Sequence, residues 1–481
     1  MSTPALRVSL RSPVAAGDVQ GADADSGRGS GAGTLSGPRG AALYIGALLG
    51  PGLLLLPGLA AAEAGPASIL AWLGLLCLSG LFAVVFSSLG RAYPAAGGVS
   101  GYVAAGLGAR AGAVAGASFL VGVVCGAPLV CLIGASYVTD LTGGGTALRC
   151  LIAAALLLVV LALGAGGLRA STTAQLVLVS LLTAVIVAAV AGAAPAARAA
   201  NWLPFAPHGW AAVGHAGATL MFSFVGWEAV APLTGRFREP ARQLPRVIGT
   251  ALAVSTVLYL GLAIATIAVL GRGAATDVPL AGLLAHAVGG EGRLVAAVVA
   301  VVLTLGTTNA YLSGAVTMAR EFAERSAGRA GRSPGSPERT PGSGSAPGSG
   351  SAPCSPGRTP GSGSAPGSPG CTSGSGSSPG HGSERRFLAV IALAGVVLLA
   401  LYGAGVVTAA ELVGVPTTLF LVVYLGCTLS GARTLSGAAR GCSVAAFVAV
   451  AVLLAFCGWA LAFAAAVAVA AALYAGRRPA F

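Results

Sequence analysis

Apolar runs of about twenty residues alternate with short polar segments along most of the chain. A helix needs about 20 such residues to cross a hydrocarbon core of ~30 Å. Runs of this kind lie at 41–62, 67–89, 111–138, 147–167, 172–194, 211–234, 247–270, 294–319, 387–407, 409–430, 443–457 and 459–475. They are apolar on every face, whereas spanning barrels show short alternating segments. The pattern therefore predicts an all-α polytopic membrane protein of about twelve transmembrane helices. The last two runs are short and only Gly458 separates them, so one long bent helix is an alternative to two. A further apolar stretch, PLAGLLAHAV at 279–288, is too short to span. It reads as an interfacial or re-entrant helix carrying a surface histidine, His286.

Composition strengthens this picture. The 481 residues are 56% apolar and 9% charged, against roughly 25% charged in soluble domains. Net charge is +13, and all 27 cationic residues are Arg. They sit in the segments between apolar runs, which argues for a topology signal and against nucleic-acid binding. With the N-terminus inside, 23 of the 27 arginines fall on the side of the chain's ends and 4 on the other. That bias predicts a multi-pass protein of the cell (inner) membrane with both termini cytoplasmic.

Four segments follow. Residues 1–40 are rich in Gly, Ser, Asp and Arg, lack the apolar core of a signal peptide and read as a disordered cytoplasmic tail. Residues 41–325 carry helices 1–8, and 387–476 carry helices 9–12. Between them, 326–386 is a disordered Ser/Gly/Pro linker in which RTPGSGSAPGS occurs at 339–349 and again at 358–368. The nine cysteines form no CxxC pair and no Cys/His cluster, so they read as small packers, and no metal site is expected.

Two spans break helix rules. The first holds Gly50-Pro51-Gly52 near mid-membrane, followed by Pro57 and Gly58. Proline removes a backbone donor and glycine weakens a helix. Unwound backbone at that depth is tolerated only where protein buries it or it lines a cavity. There it offers bare N–H groups at a half-helix N-terminus, a site for a carboxylate; the alternative is a simple kink or a close packing face. The sixth span carries Phe222-Ser223-Phe224-Val225-Gly226-Trp227-Glu228. Gly226 can open the helix, and Glu228 puts a carboxyl group inside the membrane, which is a functional hypothesis by default. Its role is open between a proton site, a latch on the broken helix and a partner for an ammonium group. Paired interruptions in matching places of two halves are a pointer to a transporter site.

The motifs carry a resemblance. IGALLGPGLLLLPG at 45–58, AGP at 64–66, LGRAYPAAGGVSGYV at 89–103, FSFVGWE at 222–228 and REPARQLPRVI at 238–248 together resemble the amino acid–polyamine–organocation permease family. Asn309 and Arg320 resemble polar positions of its eighth span. Two departures stand out: Pro51 where the family commonly has Ser or Thr, and Glu239 where Asn is usual. The match is good over 41–325 and general over 387–475.

The resemblance implies a five-plus-five inverted repeat with two added helices, broken in helices 1 and 6. It implies that the backbone of Gly50, Pro51 and Gly52, through its glycine amides, holds the substrate carboxylate. The backbone around Phe222, Ser223, Val225 and Gly226 would hold the ammonium, with Phe222 or Trp227 lining the site or, alternatively, facing lipid. Within the family the chain most resembles short bacterial permeases that export methionine and branched-chain amino acids. The expected partners are an amino acid substrate and the bilayer, with a homodimer left open. No organic cofactor is expected; protons, through Glu228, are the preferred coupling ion. Sodium is the alternative, through Thr307, Thr308 and Ser313 with span 1 carbonyls, although such hydroxyls commonly bond their own helix. Some relatives carry Lys in the fifth span in place of sodium; 172–194 holds no charge.

An intramembrane enzyme would need a nucleophile, base or metal cluster at depth. The sequence has no HExxH, and His208, His215, His286 and His381 lie near span ends or in loops. A non-transporting amino acid sensor is the third class, hinted at only by the long linker.

Overall fold

The structure, a computed structural model, describes residues 37–93, 98–166, 172–227, 240–330 and 380–476. Among these, every regular element is helical. The first predicted span appears as two helices, α1 (Gly37–Leu48) and α2 (Gly52–Ala64), followed by α3 (Ser68–Ala92). A short helix α4 (Val99–Leu107) precedes α5 (Ala109–Thr142), α6 (Thr146–Ala165) and α7 (Thr172–Ala193). The sixth span begins with α8 (Ala211–Leu220), tightens into a 3₁₀ turn at Met221–Phe224 and then opens. Next come α9 (Pro240–Leu270), α10 (Pro279–Val288) and α11 (Glu291–Ala330). The last four are α12 (Gly380–Gly403), α13 (Ala409–Thr434), α14 (Gly437–Leu454) and α15 (Ala460–Gly476).

Among the described residues, nine helical segments are long and apolar enough to cross a membrane. One of them, Gly52–Ala92, joins the second half of the first predicted span to the second span through a 3₁₀ turn at Gly65–Ala67. The described part of the sixth span, Ala211–Phe224, and α15 are too short to be counted among the nine, which reconciles nine with about twelve. The last two predicted runs are separate helices: the chain turns between Leu454 and Ala460, with Gly458 at φ 56°. α10 covers the predicted short apolar stretch. α4 was expected to be loop; its Gly98 and Gly108 flanks hide a nine-residue helix in what reads as punctuation. Both edges of the expected linker are helical, since α11 continues to Ala330 and α12 starts at Gly380. The remainder, 331–379, lies outside the described residues, as do 1–36 of the expected tail.

Helix α5 is the central post, packed against α2, α4, α6, α11, α12, α13 and α15. Most of α5 is buried, whereas α6, α12 and α14 are largely exposed. Those outer helices turn Leu151, Leu158, Leu393, Val396 and Val448 outward, a continuous apolar belt that a soluble protein would not expose. The chain is a multi-pass membrane protein whose lipid-facing helices enclose a buried core.

Candidate functional site

The break in the first span runs from Leu49 to Pro51, and α2 begins at Gly52. Pro51 has no amide, and the Gly50 amide donates to the Leu48 carbonyl at 2.9 Å. Among the described residues no acceptor pairs with the Gly52 amide, which points out of the first turn of α2. Such a turn carries bare N–H groups and partial positive charge. Farther along, Pro57 removes the amide that would pair with the Leu53 carbonyl, and the neighbouring Leu54 carbonyl accepts the Tyr137 hydroxyl at 2.7 Å.

The break in the sixth span has a different construction. Val225 is extended (φ −70°, ψ 126°) and Gly226 sits at φ 154°, where a side chain would be strained. Unpaired buried carbonyls are costly, and here tyrosines from three helices supply donors. Tyr259 of α9 donates towards the Ser223 carbonyl at 2.7 Å and the Leu48 carbonyl at 2.5 Å, so one hydroxyl bridges both breaks. Tyr311 of α11 donates to the Val225 carbonyl at 3.1 Å. Tyr424 of α13 lies 3.5 Å from the Phe224 carbonyl and accepts the Gly226 amide at 3.3 Å. Below Tyr259, Trp72 stacks on its ring at 5.3 Å.

The two breaks face one cavity of about 50 Å³. Gly50, Pro51 and Gly52 border it from the first span, and Phe222 and Val225 from the sixth. Gly122, Val123, Gly126, Ala127 and Val130 of α5, with Phe420 of α13, form an apolar wall. Thr307, Thr308 and Tyr311 of α11 supply its polar side chains.

Not every expected residue borders this space. Ser223, Gly226 and Trp227 do not line it. Ser223 is buried behind the loop with its hydroxyl unpartnered. Trp227 faces neither cavity nor lipid: it is 1% exposed, and its indole N–H donates to Ser79 Oγ at 2.9 Å. Its hydrogen bond ties the break to α3. Glu228 lies outside the described residues. Of the three hydroxyls considered for sodium, Thr307 donates to the Leu303 carbonyl at 2.6 Å and Ser313 to the Asn309 carbonyl at 2.8 Å. Only Thr308 keeps a buried hydroxyl without a partner.

The tyrosines were missed from sequence. A signal was present: Tyr259, Tyr311 and Tyr424 each lie inside an apolar run, where a phenol O–H must find an acceptor. Among the described residues, no group of His, Cys, Asp and Glu could hold a metal ion.

The pattern of the family described as "Amino acid permease" matches residues 35–330. The uncharacterized amino acid permease YecA of Bacillus subtilis (strain 168) is 29% identical over 277 residues, covering 57% of this chain and 65% of that protein. The L-methionine/branched-chain amino acid exporter YjeH of Escherichia coli (strain K12) is 32% identical over 226 residues, covering 46% of this chain and 53% of that one. The chain thus spans less than two thirds of the length of either relative. A solved structure, MhsT in complex with L-phenylalanine, aligns with TM-score 0.51 and 13% identity over 92% of this chain and 100% of that one. That likeness speaks for the fold alone.

Proposed function

This chain belongs to the amino acid permease family, and from that premise we propose that it is a secondary active transporter of small apolar L-amino acids, such as methionine or the branched-chain ones. The observation that carries the reading is the cavity between the two breaks. Among the described residues its lining holds no charged side chain, so a charged substrate side chain would find no counter-ion among them. The substrate's own two charges meet backbone instead. The Gly52 amide at the positive end of α2 suits the carboxylate. The Val225 carbonyl, which Tyr311 leaves with a second lone pair, suits the ammonium. A water takes ~10–15 Å³ of such space, so about 50 Å³ admits only a compact ligand unless Phe222 or Phe420 turns. Similarity to the exporter YjeH supports the same substrate class.

In this proposal the protein sits in the cell membrane with both termini cytoplasmic and couples transport to protons through Glu228. Sodium coupling is the second reading, favoured by the unpartnered Thr308 hydroxyl on the cavity. Uptake rather than export, or sensing without transport, are the alternatives that flux separates.

Counterflow in proteoliposomes loaded with each of the twenty amino acids, at two pH values and with or without Na⁺, tests this. Exchange confined to apolar amino acids is expected. Flux that responds to pH in the wild type and loses that response in Glu228→Gln supports proton coupling. Absence of exchange with every amino acid refutes the transporter reading, and a response to Na⁺ alone moves the coupling to Thr308.

A further inference from the structure

A second cavity, of about 170 Å³, opens where the far end of α2 and the side of α8 meet α13 and the turn before α15. It lies on the face opposite the start of α1. Glu63, His215, Thr219, Glu411 and Trp459 line it. Glu63 ends α2, the second half of the broken first span; Thr219 ends α8, the first half of the broken sixth span. The two half-helices pack along each other, and Thr219 Oγ1 donates to Glu63 Oε1 at 2.8 Å. The other carboxylate oxygen, Oε2, is buried and has no partner.

We propose that Glu63 is the proton-exchange group on this face, and that the Thr219 hydroxyl carries its charge state into the two half-helices that adjoin the breaks. A carboxylate accepts and cannot donate, so charged Glu63 fixes Thr219 as the donor. A proton taken from water in the vestibule forms one O–H bond on the carboxyl group. That group can then donate, and the hydroxyl is released to bond elsewhere. Returning the proton to the same water restores the tie, and no other bond changes.

The neighbouring groups do not compete for this role. Glu411 is spent on its own helix: its Oε2 accepts the Thr408 amide at 2.8 Å and hydroxyl at 2.9 Å, closing a capping box. His215 Nδ1 pairs with the Phe456 carbonyl at 3.2 Å, and His208 Nδ1 with the backbone carbonyl of Glu63 at 2.9 Å. The nearby acid Asp277 is already paired with Arg149 at 2.8 Å. Among the described residues no Arg lines the vestibule.

The inference rests on proton-coupled transport, and the test separates the two. In oriented proteoliposomes, initial flux is measured while pH is varied on each face separately, for wild type, Glu63→Gln, Glu63→Asp, Thr219→Val and Glu228→Gln. Counterflow at equal pH on both sides checks that each variant still exchanges substrate. The expected result is that Glu63→Gln exchanges at equal pH but loses its response to pH on the vestibule face. Glu63→Asp and Thr219→Val should keep the response with a displaced midpoint. Wild-type flux indifferent to pH on both faces overturns the coupling reading and Glu63 with it. A responsive wild type with an unchanged profile in Glu63→Gln overturns the assignment of Glu63 alone. If Glu63→Gln does not insert, a Thr219→Val profile identical to wild type overturns it instead.

Discussion

Replacing Tyr259 with Phe isolates the contribution of one hydroxyl. The ring is buried, stacks on Trp72 at 5.3 Å and packs against Phe224 at 5.1 Å; Phe keeps all of that. What disappears is the O–H that lies 2.5 Å from the Leu48 carbonyl and 2.7 Å from the Ser223 carbonyl. One hydroxyl has one proton, so the loss is about one bond made, with a buried acceptor left unpaired. That costs about 1–3 kcal/mol, which converts to a roughly 5- to 150-fold smaller population of the arrangement that holds the two breaks together. Counterflow should fall within that range while insertion is retained, and the variant should unfold at lower temperature in detergent. Tyr259→Phe with wild-type flux and unchanged unfolding temperature would refute the view that this hydroxyl joins the breaks. The tyrosine would then be a packing residue.

Two predictions concern the cavity wall. A Cβ at Gly50 meets nothing within 4 Å, whereas one at Gly52 lies 3.0 Å from Ser223 Oγ and 3.3 Å from Phe222 Cδ1. Gly50→Val and Gly52→Val should both abolish transport with normal insertion, the first by filling space at the carboxylate site and the second by wedging the breaks apart. Surviving transport in either would show the carboxylate site to be misplaced. A Cβ at Gly122 would stand 3.2 Å from the Phe420 ring, so Gly122→Ala should narrow the cavity. Competition assays should then show a preference shifted from methionine and leucine towards alanine, and an unchanged preference would remove this wall from specificity.

Much of the fold was legible because lipid imposes simple rules. A run such as 111–138 has no polar face to mislead, and α5 follows it closely. The breaks were legible for the same reason: Pro51 and Gly226 are out of place in a spanning helix. α4 was not legible, since nine residues between two glycines carry no spanning signal and gain their place by packing on α5 and α13. Within the site, sequence located the unwound backbone but not what satisfies it. Donor and acceptor are far apart in the chain: 86 residues separate Tyr311 from Val225, and 198 separate Tyr424 from Gly226. Trp227 illustrates the same limit. An aromatic next to a break could line, gate or face lipid, and only the position of Ser79 decides.

The sixth-span break is held from four separate helices, through Ser79, Tyr259, Tyr311 and Tyr424. Each hold is a single hydrogen that is bonded or not, with little in between. Any sliding of these helices past one another must therefore release whole hydrogen bonds, each worth about 1 kcal/mol net. Motion through this region is stepwise rather than elastic. A turnover limited by this region would pass through arrangements in which these buried carbonyls are transiently unpaired.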